Sequence, residues 1–197
     1  MNENPYQAPK SEFVSKAEEK AYQFYVVSVP KFTVLFFATL GLYSIYWFYK
    51  NWSEYKIYNS VNIWPVPRGL FSIFFAHKLF EGIQAALEAN GKSFNWSPNA
   101  LATVYVIFSI ASNILDKMSM REVGSPYTDL LSVLILPIIY VTLLKPQKAI
   151  NISQDDPEGI CNSHYTIGNY AWIVLGILLW ALFAFGFLIM SGVVNVE

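Results

Sequence analysis

The chain of 197 residues holds two histidines, and each has carboxylates close by in sequence. His77 and Glu81 stand four residues apart, one turn of a helix, where they could share a proton or hold a metal ion with a third ligand. The polar face of an amphipathic helix is the simpler reading of that pair. Asp155, Asp156, Glu158, Cys161 and His164 crowd one polar stretch and offer both hard and soft metal ligands. Their spacing matches neither a zinc site nor a calcium loop. Two imidazoles are too few for a membrane di-iron site, and the chain contains no H-E-x-x-H, no G-x-S-x-G and no glycine-rich phosphate loop. The residues therefore predict no enzyme, no metal and no cofactor.

A second constellation suits binding better than catalysis. Tyr43, Tyr46, Tyr49, Trp52, Tyr55 and Tyr58 recur at every third position. A helix turns every 3.6 residues, so these rings spiral around it rather than line one core stripe. Beside Lys50 and Lys56 they fit an interfacial belt at the level of lipid headgroups. On this reading Tyr46, Trp47, Tyr49, Lys50, Trp52 and Arg68 offer a surface to headgroups or to a partner protein. An aromatic cage for a cationic headgroup is the sharper alternative.

The elements that must carry these residues are set by composition. Hydrophobic residues make up 54% of the chain and charged residues only 14%, against about 25% charged in an ordinary soluble domain. The apolar residues fall in runs, which predicts an all-α, polytopic helical membrane protein with about four hydrophobic spans and one amphipathic interfacial helix. The spans are expected near 32–49, 98–115, 126–144 and 167–192. Ser97 with Pro98 and Ser125 with Pro126 give start signals; Asp116 with Lys117, and Lys145 with Pro146, give stops. Pro137 predicts a kink. Near 69–90, Ile73, Ala76, Phe80, Ile83 and Leu87 alternate at helical spacing with His77, Glu81, Gln84 and Glu88. That amphipathic helix lies in the interface, across the bundle, or over its surface. The Pro, Glu, Lys and Ser content of residues 1–25 predicts a mobile polar tail ahead of a single domain over 26–197.

A net charge of −1 gives no field for nucleic acid, and Cys161, the sole cysteine, allows no internal disulfide. The first 31 residues lack the apolar core and cleavage site of a signal peptide. If 32–49 crosses once, Lys and Arg divide almost evenly between the two sides, and orientation stays undecided. If that segment instead breaks at Gly41 and returns as a re-entrant hairpin, only Lys117 and Arg121 lie on the far side. Both arrangements remain open at this stage.

The run Thr39-Leu40-Gly41-Leu42-Tyr43-Ser44-Ile45-Tyr46-Trp47-Phe48-Tyr49-Lys50 resembles the signature T-x-G-[LI]-Y-x-x-Y-W-x-Y-K of uncharacterised bacterial inner-membrane proteins, which belong to families defined as domains of unknown function. The segments around Ile63, Pro65, Arg68 and Phe71, and around Asn162, Ser163, Thr166 and Asn169, are similar too. Asn4-Pro5-Tyr6-Gln7-Ala8-Pro9 resembles an N-terminal N-P-Y-x-x-P of small bacterial membrane proteins. Gly69 departs from the pattern, where alanine is common, and weakens helix propensity there. The resemblance implies a multi-pass protein of the bacterial inner membrane and no particular activity. The expectation is a noncatalytic accessory protein that meets the lipid bilayer, another membrane protein or a second copy of itself. The alternative is a small transporter or channel component, for which a mid-depth cavity lined by Thr39, Ser109 or Thr142 would speak. In sequence Thr39, Ser109, Ser112, Ser132 and Thr142 read as packing contacts.

Overall fold

The structure is a computed structural model that describes residues 22–192. Among them the chain forms seven α-helices, one short 3-10 turn and no strand: α1 (Val29–Ala38), α2 (Tyr43–Asn59), α3 (Pro65–Leu70), α4 (Ser72–Ala89), α5 (Pro98–Ser119), α6 (Tyr127–Ser153) and α7 (Ile167–Met190), with the turn at Ile160–Asn162. The fold is helical throughout, and α5, α6 and α7 are each long and apolar enough to cross a bilayer. Helix α5 begins at Pro98 as its start signal predicts, but runs past Asp116 and Lys117 to Ser119. Helix α6 does not stop at Lys145 and Pro146; it continues to Ser153. A proline removes one backbone hydrogen bond, and burial of Ala149, Ile150 and Asn151 beyond it holds the helix together. Thr166 and Asn169 form a reciprocal capping box at the start of α7.

The first hydrophobic segment is not one continuous span. Helix α1 is ten residues long and ends at Ala38, and the chain turns through Thr39–Leu42 and returns as α2. Leu40 and Gly41 sit at φ 51° and 83°, and for Gly41 the absence of a side chain is what makes that backbone comfortable. The turn closes on itself: Gly41 N–H donates to the Phe36 carbonyl at 2.9 Å. Thr39 Oγ1 donates to the Leu35 carbonyl at 2.8 Å and accepts the Tyr43 N–H at 2.9 Å. Tyr25, just before α1, then meets α2 again, its N–H donating to Asn51 Oδ1 at 3.2 Å. The two helices form a hairpin.

Contacts at both ends of the hairpin fix how far it reaches. At its open end the Ser28 N–H lies 3.4 Å from the Asn162 carbonyl, beside the start of α7. At its tip, the Phe37 carbonyl accepts Trp180 Nε1–H of α7 at 2.9 Å, and Gly41 lies against Leu136 of α6. Gly176, between these levels on α7, is about 14 Å from the helix start at roughly 1.5 Å per residue, close to half of a roughly 30 Å hydrocarbon core. The hairpin tip thus meets α7 near the middle of that helix, and the chain then turns back.

A second return follows. The helix expected over 69–90 is split at Phe71, where ψ of 41° interrupts it. Helix α3 runs back along α2, with Gly69 at 3.0 Å from the Ile45 carbonyl if a methyl were placed on it, so the glycine serves close packing. Helix α4 then buries Ala76, Phe80, Ile83 and Leu87 against α5 and α6. Its apolar face is thus packed against the bundle.

Where the chain leaves this bundle, polar side chains take over. Gln147 accepts Trp47 Nε1–H at 2.5 Å and donates to the Tyr25 carbonyl at 3.2 Å, while Asn151 donates to the Val27 carbonyl at 2.9 Å. Asn162 Nδ2 donates to the Val26 carbonyl at 2.9 Å. Extended residues 22–28, which make no helix, are thereby bolted across the ends of α2 and α6. Phe24, Val26 and Val27 are buried, so residues 22–25 belong to the packed domain and not to the expected tail; residues 1–21 lie outside the described residues.

Candidate functional site

The six residues proposed from sequence as one surface are not brought together. Trp47 and Trp52 are buried. Trp47 is tied to Gln147, and Trp52 carries the Arg68 guanidinium 4.4 Å above its ring. Arg68 also lies 5.0 Å from the Phe75 ring, a stacking site inside the protein. Lys50 pairs with Glu54 at 2.7 Å and sits 5.6 Å from the Tyr25 ring. Only Tyr46 and Tyr49 border an open groove. The threefold aromatic rhythm does not make a belt: Tyr43 and Trp52 are core residues, and Tyr58 is exposed.

The histidine pairs do not converge either. His77 Nε2 lies 3.1 Å from Thr103 Oγ1 on α5, and Glu81 is exposed. In the polar loop, Asp155 pairs with Lys92, and Asp156 accepts the backbone N–H groups of Ile160 and Cys161 at 2.8 and 2.9 Å. Burial pushes the Asp156 carboxyl up, but those amides outweigh it and hold the group below its ordinary range. His164 contributes its carbonyl, which accepts Lys31 Nζ at 2.7 Å; Asn162 Oδ1 accepts the same ammonium at 2.6 Å. Among the described residues no three His, Cys, Asp or Glu side chains are placed to hold a metal ion.

What the fold does assemble is a cavity at the two helix breaks. A space of about 600 Å³ is walled by Leu40, Gly41 and Leu42 from the first tip, by Leu70, Phe71 and Ser72 from the second, and by Tyr105, Ser109, Ser112, Asn113 and Lys117 along α5. Leu136 and Ile139 of α6 close its side. Ser44 at the start of α2 adds a hydroxyl. Tyr105 is almost wholly buried and its hydroxyl lies 2.7 Å from Ser72 Oγ, which links α5 to the second break. Asn113 Nδ2 donates to the Ser109 carbonyl at 2.7 Å. Next to this cavity a recess of about 300 Å³ shares Leu40, Leu42, Ser112 and Leu136 and adds Asp116, Asp129 and Ser132. The Asp129 carboxylate accepts the hydroxyls of Ser119 and Ser125.

Of the hydroxyls expected to be packing contacts, Ser109 and Ser112 line the cavity and Ser132 lines the recess. Thr39 and Thr142 keep the packing role, each bonded to a backbone carbonyl of its own helix segment. The missed signal is a stripe: Tyr105, Ser109, Ser112 and Asp116 are spaced by four, three and four residues, one face of an otherwise apolar helix.

On the other side of the hairpin lies an apolar groove of about 490 Å³, walled by Leu42, Ile45, Tyr46, Tyr49, Val66, Leu70, Trp172 and Leu175. It exists because α7 touches the rest of the bundle chiefly through α1 and stands off α2 and α3. Leu42, Ile45 and Leu70 wall both spaces. No protein-family model, no curated protein and no solved structure matches the chain.

Proposed function

We propose that the protein is a noncatalytic small transporter or channel component of the bacterial inner membrane, and that its working part is the cavity at the two helix breaks. The observation that carries this reading is the placement of hydroxyl and amide groups from α2, α4 and α5 on the lining of one space beside both helix breaks. In lipid such groups are expensive unless they are hydrogen-bonded to one another, to backbone, to water or to a polar solute. Helices broken near the midplane are where transporters commonly build solute sites, because irregular backbone at that depth is tolerated where it lines a cavity or is buried in protein. A volume of about 600 Å³ falls within the range of small-molecule pockets.

The charge distribution supports an orientation. With the first hairpin returning, Lys31, Lys50, Lys56, Arg68, Lys78, Lys92, Lys145 and Lys148 belong to elements anchored at its open end, and Lys117 with Arg121 to the far end. That bias sets the open end toward the cytoplasm.

The test is hydration of the cavity. With Cys161→Ser as background, Ser109→Cys and Ser112→Cys are reconstituted in vesicles and treated with a membrane-impermeant thiol reagent. Both should react from the Lys117 side, whereas Ile107→Cys, on the exposed flank of α5, should not. Failure of both serine positions to react from either side overturns the reading.

A further inference from the structure

From the two spaces that meet at the hairpin tip we infer that the ligand of this cavity is a phospholipid, its headgroup phosphate held near Lys117 and one acyl chain laid in the groove beside Trp172 and Leu175. The inference rests on the reading of the cavity as a solute site and names the class of solute. Polarity divides the combined space in the way an amphiphile does. The cavity sets hydroxyls, an amide and one ammonium into a lining that is otherwise carbon, while the groove beyond Leu42, Ile45 and Leu70 is walled almost entirely by carbon.

Charge selects the head. Lys117 is the cation that lines the cavity, and among the described residues it has no carboxylate within ion-pair distance. An ammonium in a site of hydroxyls fits a phosphate oxygen, and basic pockets between membrane helices commonly take lipid headgroups. The recess behind Ser112 holds Asp116 and Asp129. Two carboxylates there disfavour a headgroup with a second negative charge and suit one that adds an ammonium. The groove commits to a lipid chain and not to a protein segment because its outer wall, α7, is exposed along nearly its whole length, so the groove opens sideways to the acyl phase.

The experiment uses the full chain in detergent, titrated separately with a phosphatidylethanolamine, a phosphatidylglycerol and a diacylglycerol, with bound lipid counted by native mass spectrometry. One phosphatidylethanolamine should bind, phosphatidylglycerol more weakly, and diacylglycerol about tenfold more weakly or worse, since a charge-assisted bond of about 1.5–3 kcal/mol is lost. Lys117→Gln should erase the preference over diacylglycerol. Leu175→Trp, a substitution on an exposed flank that fills the groove, should weaken all three. Bound phosphatidylethanolamine should also protect Ser112→Cys from the thiol reagent. Equal binding of diacylglycerol and phosphatidylethanolamine, or binding unmoved by Lys117→Gln and Leu175→Trp, overturns the inference. If Ser112→Cys reacts with the reagent but lipid neither binds nor protects, the phospholipid falls and the hydrated cavity stands; if Ser112→Cys never reacts, the cavity reading itself falls.

Discussion

A single methyl group at Gly176 should separate α1 from α7. A Cβ on that glycine would stand 2.0 Å from the Ala38 carbonyl oxygen and 2.5 Å from its carbon. Ordinary carbon–oxygen contacts begin near about 3.3 Å, so the end of α1 must retreat by more than about 1 Å. The obstacle is backbone and cannot turn aside, which places the cost in the range of about 1–3 kcal/mol typical of overpacking. The same retreat stretches the bond from Trp180 Nε1 to the Phe37 carbonyl, now 2.9 Å, adding about 0.5–1.5 kcal/mol. Gly186 is the control, in the same helix with nothing within 4 Å of its added methyl. There alanine should be neutral or stabilising by up to about 1 kcal/mol, through helix propensity alone. Two chemically identical substitutions should therefore differ by about 1.5–4.5 kcal/mol in reversible unfolding in mixed micelles. Spin labels at Val34→Cys and Val174→Cys, with Cys161→Ser, should report a wider α1–α7 distance for Gly176→Ala only. Equal stabilities with an unchanged distance would refute the half-depth docking of the hairpin on α7.

Three further outcomes follow from the same contacts. Single cysteines at Ser11, Ser53 and Val123 in the Cys161→Ser background should label with Ser11 and Ser53 on one side and Val123 on the other; opposite sides for Ser11 and Ser53 would mean that α1 and α2 cross. Gln147→Leu strands the Trp47 indole N–H and takes a donor from the Tyr25 and Val27 carbonyls, at about 1–3 kcal/mol for each group left unpaired. Hydrogen exchange of residues 23–28 should accelerate, and an unchanged rate would show that the strap is held by packing alone. Burial lowers the Lys31 pKa from 10.5, with Cys161 opposing. A folded state that gives up this proton before the unfolded chain gains stability as pH rises from the lowered value to 10.5, and no further below or above that window. Lys31→Met should remove that slope from the unfolding free energy; an identical slope in the variant would place the titration elsewhere.

The parts of the fold legible in sequence are those set by solvent. Uncharged runs marked α5, α6 and α7, and the alternation of Ala76, Phe80, Ile83 and Leu87 marked the buried face of α4, since burial and periodicity are local properties of the chain. The breaks were harder, because hydropathy does not register them: Thr39–Leu42 and Leu70–Phe71 are as apolar as their surroundings, and what stops the helices is Gly41 at φ 83° in one place and packing on α2 and α5 in the other. Helix α6 shows the converse. Lys145 and Pro146 read as a stop, yet tertiary burial of the residues beyond carries the helix on to Ser153. The aromatic spiral misled for a related reason. Its period describes a helix in lipid or water, but α2 packs on α3 and α4 while Trp47 reaches Gln147 of α6, so Trp47 and Trp52 enter the core on different sides. The cavity was legible only in part, since Tyr105, Ser109, Ser112 and Asp116 make a stripe on α5 while the opposite wall comes from two turns distant in sequence.

The distribution of hydrogen bonds decides which part of the hairpin is firmly held. Helices in lipid gain little from burying apolar surface against one another, so polar contacts and close packing carry the association. At the open end the hairpin is tied by Gln147, Asn151, Asn51 and Asn162 and by the Lys31 ammonium. At the tip, apart from the turn's own bonds, the ties to neighbouring helices are the Trp180 indole, the packing of Gly176 and Leu136 against it and the Phe36 and Phe37 rings against Tyr140 of α6. The polar ties thus gather at the open end, and the tip at Leu40 and Leu42 is held mainly by close packing. Those residues are shared walls of the polar cavity and its carboxylate recess, and Leu42 also walls the apolar groove. A substitution in that turn should therefore change all three spaces together.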